Sequence, residues 1–181
     1  VASAGANPAG KVASIIAGMT AGADSIDDLD IVRSGGMKQV FDHVYAPATL
    51  GQFLRSFTHG HVAQLASVAR AHLVNLTERT DLLAGIEHQA FIDIDSLLRP
   101  VYGHAKQGAS YGHAKIAGRS LLRKGLSPLV TTISTPTSAP AVAGTRLRAG
   151  KAGSGKAAAS MVTEAIRTTR ACGATGKILL R

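Results

Sequence analysis

Two stretches of this chain carry residues whose types and spacing suit chemistry. The first, Phe91-Ile-Asp-Ile-Asp95-Ser96, holds two carboxylates separated by one residue. In a strand alternate residues share a face, so Asp93 and Asp95 project to the same side. The segment is otherwise apolar, and burying carboxylates is costly unless a cation or donors meet them. A hard divalent cation, Mg²⁺ or Mn²⁺, answers that need, because carboxylate oxygens are its ordinary ligands. The plainer alternative is a strand end with one acid in solvent and the other capping a nearby loop. On these residues the two readings are even. The second stretch, Gly150-Lys-Ala-Gly-Ser-Gly-Lys-Ala157, has the G-x-x-x-x-G-K spacing of a phosphate-cradling loop, and a helical pattern follows it. The Ser or Thr that would hold magnesium is Ala157 instead, and no second nucleotide motif accompanies it.

Other reactive residues carry less. His59 and His61 flank Gly60, and His104 and His113 sit in two copies of YGHAK, at 102–106 and 111–115. None has Cys or carboxylate neighbours at a zinc spacing, so they read as loop or phosphate-facing histidines. Cys172 is the only cysteine, which excludes an internal disulfide and suits a reducing cytoplasm. It follows a helix end rather than opening one, and reads as a small packed residue. There is no G-x-S-x-G nucleophile motif.

The elements that must position these residues differ along the chain. Residues 1–88 read as a helical bundle. Ser25 and Asp28 form a capping-box variant ahead of Leu29, Ile31 and Val32, ended by Gly35-Gly36. Thr49 with Gln52 reads as a second capping box, opening a helix with Leu50, Phe53, Leu54 and Phe57 on one face. Val62, Leu65, Ala66, Ala69, Leu73 and Leu76 keep helical spacing up to Thr77. From Gln89 the pattern changes. QAFIDID, PLVTTIST (128–135) and AVAGTRLR (141–148) predict strands, with a turn at PTSAP. Lys156 to Arg170 predicts a helix with Met161, Val162, Ala165 and Ile166 on one face, Arg167 and Arg170 in its last turn, and Gly173 as its stop. KILL (177–180) begins another strand. The repeated YGHAK reads as a loop or hairpin feature.

Charge separates the two halves more sharply than composition does. Residues 1–100 hold 7 Lys and Arg against 10 Asp and Glu, whereas 101–181 hold 13 against Glu164 alone. Such asymmetry directs the second half at a polyanion, nucleic acid first and an anionic membrane surface second, against a merely soluble basic domain. No run approaches the ~18 apolar residues of a membrane span. The opening VASAGANPAGKVASIIAGMTAGA is too broken by Gly, Ser and Thr for a cleaved signal.

Taken in order, ADSIDDLDIVRSGGM, YAPATLGQFLRSFTHGHVAQLASVA, LLAGIEHQAFIDID, YGHAKQGASYG, RLRAGKAGSGKAAASMV and KILLR resemble a bacterial insertion-sequence transposase. More narrowly, they resemble the thirteen-eighty family of insertion sequences, with its group-1 DDE catalytic domain. The similarity spans nearly the whole chain in several blocks. It implies an α+β or α/β architecture: a helical DNA-binding or dimerisation region over 1–88, then over 89–181 the first part of a ribonuclease-H-like domain, a mixed sheet with a flanking helix. In such domains two Asp and a Glu bring two metal ions, Mg²⁺ or Mn²⁺, beside the scissile phosphate. Asp95 is the first choice for the first acid and Asp93 the second. Ser96-Leu97 stands where the family has another acid and a Thr. The second acid is expected just after an Ala following KILLR, and the Glu far beyond. Together with Val1 in place of an initiator Met, this makes the chain read as a middle slice of a transposase, truncated and inactive alone. The resemblance also implies DNA as partner, both transposon ends and target, and a homo-oligomer when intact. It recasts the glycine-rich stretch as a basic strand-to-helix link rather than a nucleotide site. Arg146, Arg148, Lys151 and Lys156, with the backbone amides of the link, would hold the DNA backbone, and Thr49–Phe57 would form a DNA-reading helix or a protomer contact. A non-catalytic DNA-binding remnant and a P-loop nucleotide protein are the rival readings.

Overall fold

The computed structural model describes residues 5–40, 44–103 and 106–181. The chain forms two compact units, Val1–Gln64 and Leu65–Arg181.

In the first unit, α1 (Pro8–Thr20) starts at Asn7, whose side chain accepts the Gly10 N–H, with Pro8 preset for the first turn. The 3₁₀ helices Asp27–Arg33 and Gly35–Gln39 follow. The expected capping pair forms in full. The Ser25 N–H and hydroxyl both donate to Asp28, and the Asp28 N–H donates back to the Ser25 hydroxyl. That hydroxyl, with a hydrogen bond to Asp24 second, holds the Asp28 carboxyl below the usual carboxylate range. Leu29 and Val32 are buried with Leu50 and Phe53 of α2 (Pro47–Arg55), while Ile31 is half exposed. Lys11 is also buried, its ammonium 5.6 Å from the ring centres of both Tyr45 and Phe53.

The second capping box does not form. Helix α2 begins two residues earlier than Thr49, because Pro47 suits the first helical position and the carbonyl of extended Ala46 already accepts the Thr49 and Leu50 N–H groups. Helix α3 (His59–Thr77) has the expected extent, but of its apolar stripe only Leu73 is buried. Val62 and Leu65 are more than half exposed.

The second unit is built on a four-stranded mixed sheet. Its strands are β1 (Gln89–Ser96), β5 (Leu129–Ser134), β6 (Ala141–Arg146) and β7 (Lys177–Leu180), in the order β6-β5-β1-β7. β1 runs antiparallel to β5 and parallel to β7. A bulge between Thr131 and Thr132 shifts the β5–β6 register. Helix α4 (Ala158–Ala171) packs on β1, β5 and β6, burying Met161 and Ala165 as its spacing requires. Arg170 in its last turn donates to the carbonyls of Ala174 and Gly176, and Gly173 ends it at φ +105°.

The core beneath this sheet joins Ala90, Ile92, Ile133, Ala143, Ala165 and Cys172 to Leu73, Leu83 and Ile86. Those last three residues explain why the compact unit begins at Leu65, well before the change of residue pattern at Gln89. They cover the sheet, so their segment folds with it. Residues 78–88 are turns rather than helix. Thr135 and Thr137 hold them by donating to the Ala84 carbonyl at 2.6 and 2.9 Å.

Between β1 and β5 the chain forms a second, three-stranded antiparallel sheet, from β2 (Arg99–Pro100), β3 (Ser110–Ile116) and β4 (Arg119–Leu126), in the order β2-β4-β3. The second YGHAK copy lies in β3, and a tight turn through Ala117 and Gly118, both at positive φ, returns the chain into β4. Three glycines bring this sheet against the turn after β6. A side chain at Gly112 would collide with the Gly150 carbonyl, and one at Gly150 with the carbonyls of Ser110 and Gly125. The Lys151 N–H donates to the Ser110 hydroxyl across the same contact.

Candidate functional site

On β1, Ala90 and Ile92 point into the core, so Phe91, Asp93 and Asp95 occupy the opposite face. That face is not buried. Asp95 is exposed and Asp93 half-buried, so neither acid carries the burial cost that a cation would have to offset, and Asp95 stands in solvent as the plainer of the two readings has it. The two carboxylates differ in their partners. Arg181 donates to Asp93 at 2.9 Å, and its guanidinium lies 4.3 Å from the centre of the Phe91 ring. Asp95 accepts the Ser96 backbone N–H at 2.6 Å. Arg181 arrives because the β1–β7 ladder runs on past Leu180. The Arg181 N–H donates to the Ile92 carbonyl and the Ile94 N–H to the Arg181 carbonyl, setting Arg181 level with Asp93.

Among the described residues no three of His, Cys, Asp and Glu come together as a metal site. The donors present are Asp95 and an Asp93 already paired with a guanidinium. They do not by themselves hold two divalent cations.

The turn after β6 assigns its charges unequally. Arg148, expected on the DNA backbone, is only 5% exposed. Its guanidinium donates to the carbonyls of Ser127, Gly153, Ser154 and Lys156 and to the Ser127 hydroxyl. The side chain is therefore consumed in holding the turn, which corrects its assignment as a phosphate contact. The carbonyls facing Arg148 also bear on the phosphate-loop spacing. A phosphate cradle needs converging N–H groups. Here the interior carries carbonyls around a cation, and the amides of Lys151, Ala152, Lys156 and Ala158 are bonded elsewhere. Those amides are accordingly not DNA contacts either. Lys151 and Lys156 are exposed. Arg146 is partly engaged, donating to Ser160 at 2.9 Å and to Glu164 at 3.4 Å.

His113 lies on β3 with its Nδ1 3.3 Å from the Ser120 hydroxyl, and His61 accepts the Thr58 N–H, while His104 lies outside the described residues. Cys172 is buried, and desolvation first, with Glu78 adding to it, pushes its thiol above the usual range. It is a poor nucleophile at neutral pH.

Sequence reasoning missed the cleft between the β3–β4 hairpin and the Gly150–Ala152 turn. Its signal lay in the exposed Tyr and His of the second YGHAK copy and in the absence of any acid between Asp95 and Glu164. No family model, curated protein or solved structure matches this chain. Among the described residues no helix is long and apolar enough to cross a membrane.

Proposed function

We propose that this chain is part of a DDE transposase of the thirteen-eighty insertion-sequence family, binding DNA through its basic second half and carrying the first acid of a ribonuclease-H-like catalytic domain. The observation that supports it most is the parallel pairing of β1 with β7. The resemblance sets the first acid on β1 and the second just after an Ala that follows KILLR. Arg181 stands level with Asp93, so in the same register the second residue beyond Arg181 is level with Asp95 and on its face. Acids side by side on parallel strands are what two cations ~3.5–4 Å apart require. The same register favours Asp95 over Asp93, whose carboxylate is engaged by Arg181. Bound there, Mg²⁺ or Mn²⁺ would activate the attacking oxygen and stabilise the leaving one. Asp95 would supply one ligand to it.

Lys151 and Lys156, with Arg146 in a lesser role, would meet the phosphates. The phosphate-loop reading is disfavoured by the Arg148 guanidinium inside the turn. A non-catalytic DNA-binding role is the second reading, motivated by the described residues bringing no three of His, Cys, Asp and Glu together.

DNA binding measured against salt, followed by a cleavage assay, tests the proposal. With about four or five phosphate contacts, log K falls against log salt with a slope of about −4. Lys151→Ala/Lys156→Ala reduces that slope by about 2. The 181-residue chain does not nick DNA in Mg²⁺ or Mn²⁺. Extending β7 through Ala-Asp and on to the later Glu of a transposase relative restores nicking, which Asp95→Ala then abolishes while DNA binding persists. A flat salt dependence would remove the DNA reading. Metal-dependent cleavage by the unextended chain that survives substitution of both acids would remove the transposase reading.

A further inference from the structure

Resting on the DNA-binding reading, we propose that the cleft between the β3–β4 hairpin and the Gly150–Ala152 turn holds one unpaired nucleotide of a DNA strand, its base against Tyr111 and its phosphate at Lys151. The cleft has a volume of about 460 Å³, within the range of small-ligand sites and too small for a base pair with its backbones. Its walls combine the three chemistries that a nucleotide presents. Tyr111 and Leu122 are 63% and 58% exposed, although they stand on paired strands whose backbones are fixed. They offer a flat aromatic surface and an aliphatic edge for a base. His113 lies directly across from Leu122, and its ring nitrogen is within reach of Ser120. Lys151 supplies the cation on the opposite wall, its backbone tied to the hairpin through Ser110.

Two further features select the ligand. No acid stands on the hairpin or the turn. Arg99 is exposed on the Tyr111 face of the small sheet, and Arg119 and Arg123 are exposed on its other face. Lys151 supplies the charge at the cleft itself, so an anion is favoured there over an acceptor-poor apolar molecule. Ser96 lines the cleft and directly follows Asp95. A nucleotide seated there is held next to the end of the acidic strand, whereas a base stacked inside a duplex has no open face to give Tyr111. The glycine contacts among Gly112, Gly125 and Gly150 make the cleft a fixed feature, since they lock hairpin to turn through backbone.

The test is fluorescence anisotropy on the full chain, using a short labelled oligothymidylate, a blunt duplex of equal length, and thymidine monophosphate as competitor. Tyr111→Ala weakens oligothymidylate binding by about tenfold and leaves the duplex within about twofold. Tyr111→Phe retains single-strand affinity, because the ring and not the hydroxyl carries the contact. Lys151→Ala, which keeps the backbone bond to Ser110, lowers the single-strand salt slope by about 1 and reports independently of the hairpin's integrity. Equal losses in Tyr111→Ala and Tyr111→Phe, or equal losses for duplex and single strand, overturn the stacking site while leaving the DNA reading intact. Thymidine monophosphate competing as well as the oligonucleotide overturns the assignment to a DNA strand. A chain that binds neither DNA at low salt overturns both this inference and the reading it rests on.

Discussion

At the end of β1 two carboxylates stand on the open face of a sheet, one meeting a guanidinium and the other, exposed, accepting the Ser96 backbone N–H. In the turn after β6, several cations occur within a few residues, and the one nearest the unsatisfied carbonyls, Arg148, is drawn inside while Lys151 and Lys156 stay out. The difference follows from what the neighbouring backbone needs. A strand satisfies its own N–H and C=O groups through the ladder, so charged side chains on it are free to face a ligand. A tight glycine-rich turn leaves carbonyls unpaired, and a guanidinium with five donors is the group best able to collect them. Charge at the strand end is available for chemistry. Charge in the turn is first a structural resource, and only the remainder can meet a polyanion.

The largest effect that would sharpen this contrast is in the turn. Arg148→Met removes the donors to four carbonyls and a hydroxyl. The Ser127 carbonyl and hydroxyl belong to a buried residue, while Gly153, Ser154 and Lys156 are exposed and the Gly153 carbonyl keeps the Lys156 N–H. Buried groups left unpaired cost about 1–3 kcal/mol each, and some relax towards solvent, so a net loss of about 3 kcal/mol is expected by urea unfolding. Arg148→Lys does not rescue it, because one ammonium cannot reproduce the fork. Lys151→Ala and Lys156→Ala stay within about 0.5 kcal/mol. If Arg148→Met were as mild as the lysine variants, the turn would not depend on its buried cation.

Next in size is the docking of the hairpin on that turn. Gly150→Ala pushes a methyl group into the Ser110 and Gly125 carbonyls, which are backbone and cannot rotate away. Overpacking of this kind costs about 2 kcal/mol. Gly153→Ala, in the same turn but with open space around it, is the control and should change stability by less than 1 kcal/mol. Equal effects at the two positions would mean that the hairpin is not held by backbone contact with the turn.

How much of this was legible beforehand depended on how local the cause was. β1, β5, β6, α4 and β7 could be read because alternation, β-branching and caps act within a few residues. The Ser25–Asp28 box could be read for the same reason. The Thr49–Gln52 box failed because Pro47, two positions earlier, is the stronger start signal. The α3 stripe has the right period, yet which of its turns is covered depends on residues distant in sequence, and only Leu73 meets the sheet. Arg148 was indistinguishable from Arg146 in RLR, since its role is fixed by the Ser127 carbonyl and by the course of the turn. The hairpin was visible only as a doubled YGHAK. Its strands are as long as those of the main sheet, but they are basic and each is interrupted by a glycine whose cause is not local: Gly112 meets the Gly150 carbonyl and Gly125 the Arg99 carbonyl. The acids were the converse case. Their shared face was legible from spacing, but their exposure was not, because it depends on which face of the sheet α4 covers.

The smallest expected effect separates the two acids. Asp93 and Arg181 form an ion pair in which both side chains remain well exposed, at 38% and 55%, so solvent screens most of its Coulomb energy. Asp93→Asn should therefore cost only about 0.5 kcal/mol, and the cost should fade as salt is raised. Asp95 has its own Ser96 N–H as partner and no cation in contact, so Asp95→Asn should leave stability unchanged within error at every salt concentration. The comparison matters because a carboxylate that contributes nothing to the fold is free to serve as a ligand without cost to stability. Were Asp95→Asn the more destabilising variant, Asp95 would be a structural residue. The case for it as the metal-holding acid would then pass to Asp93, which would have to release Arg181 to serve.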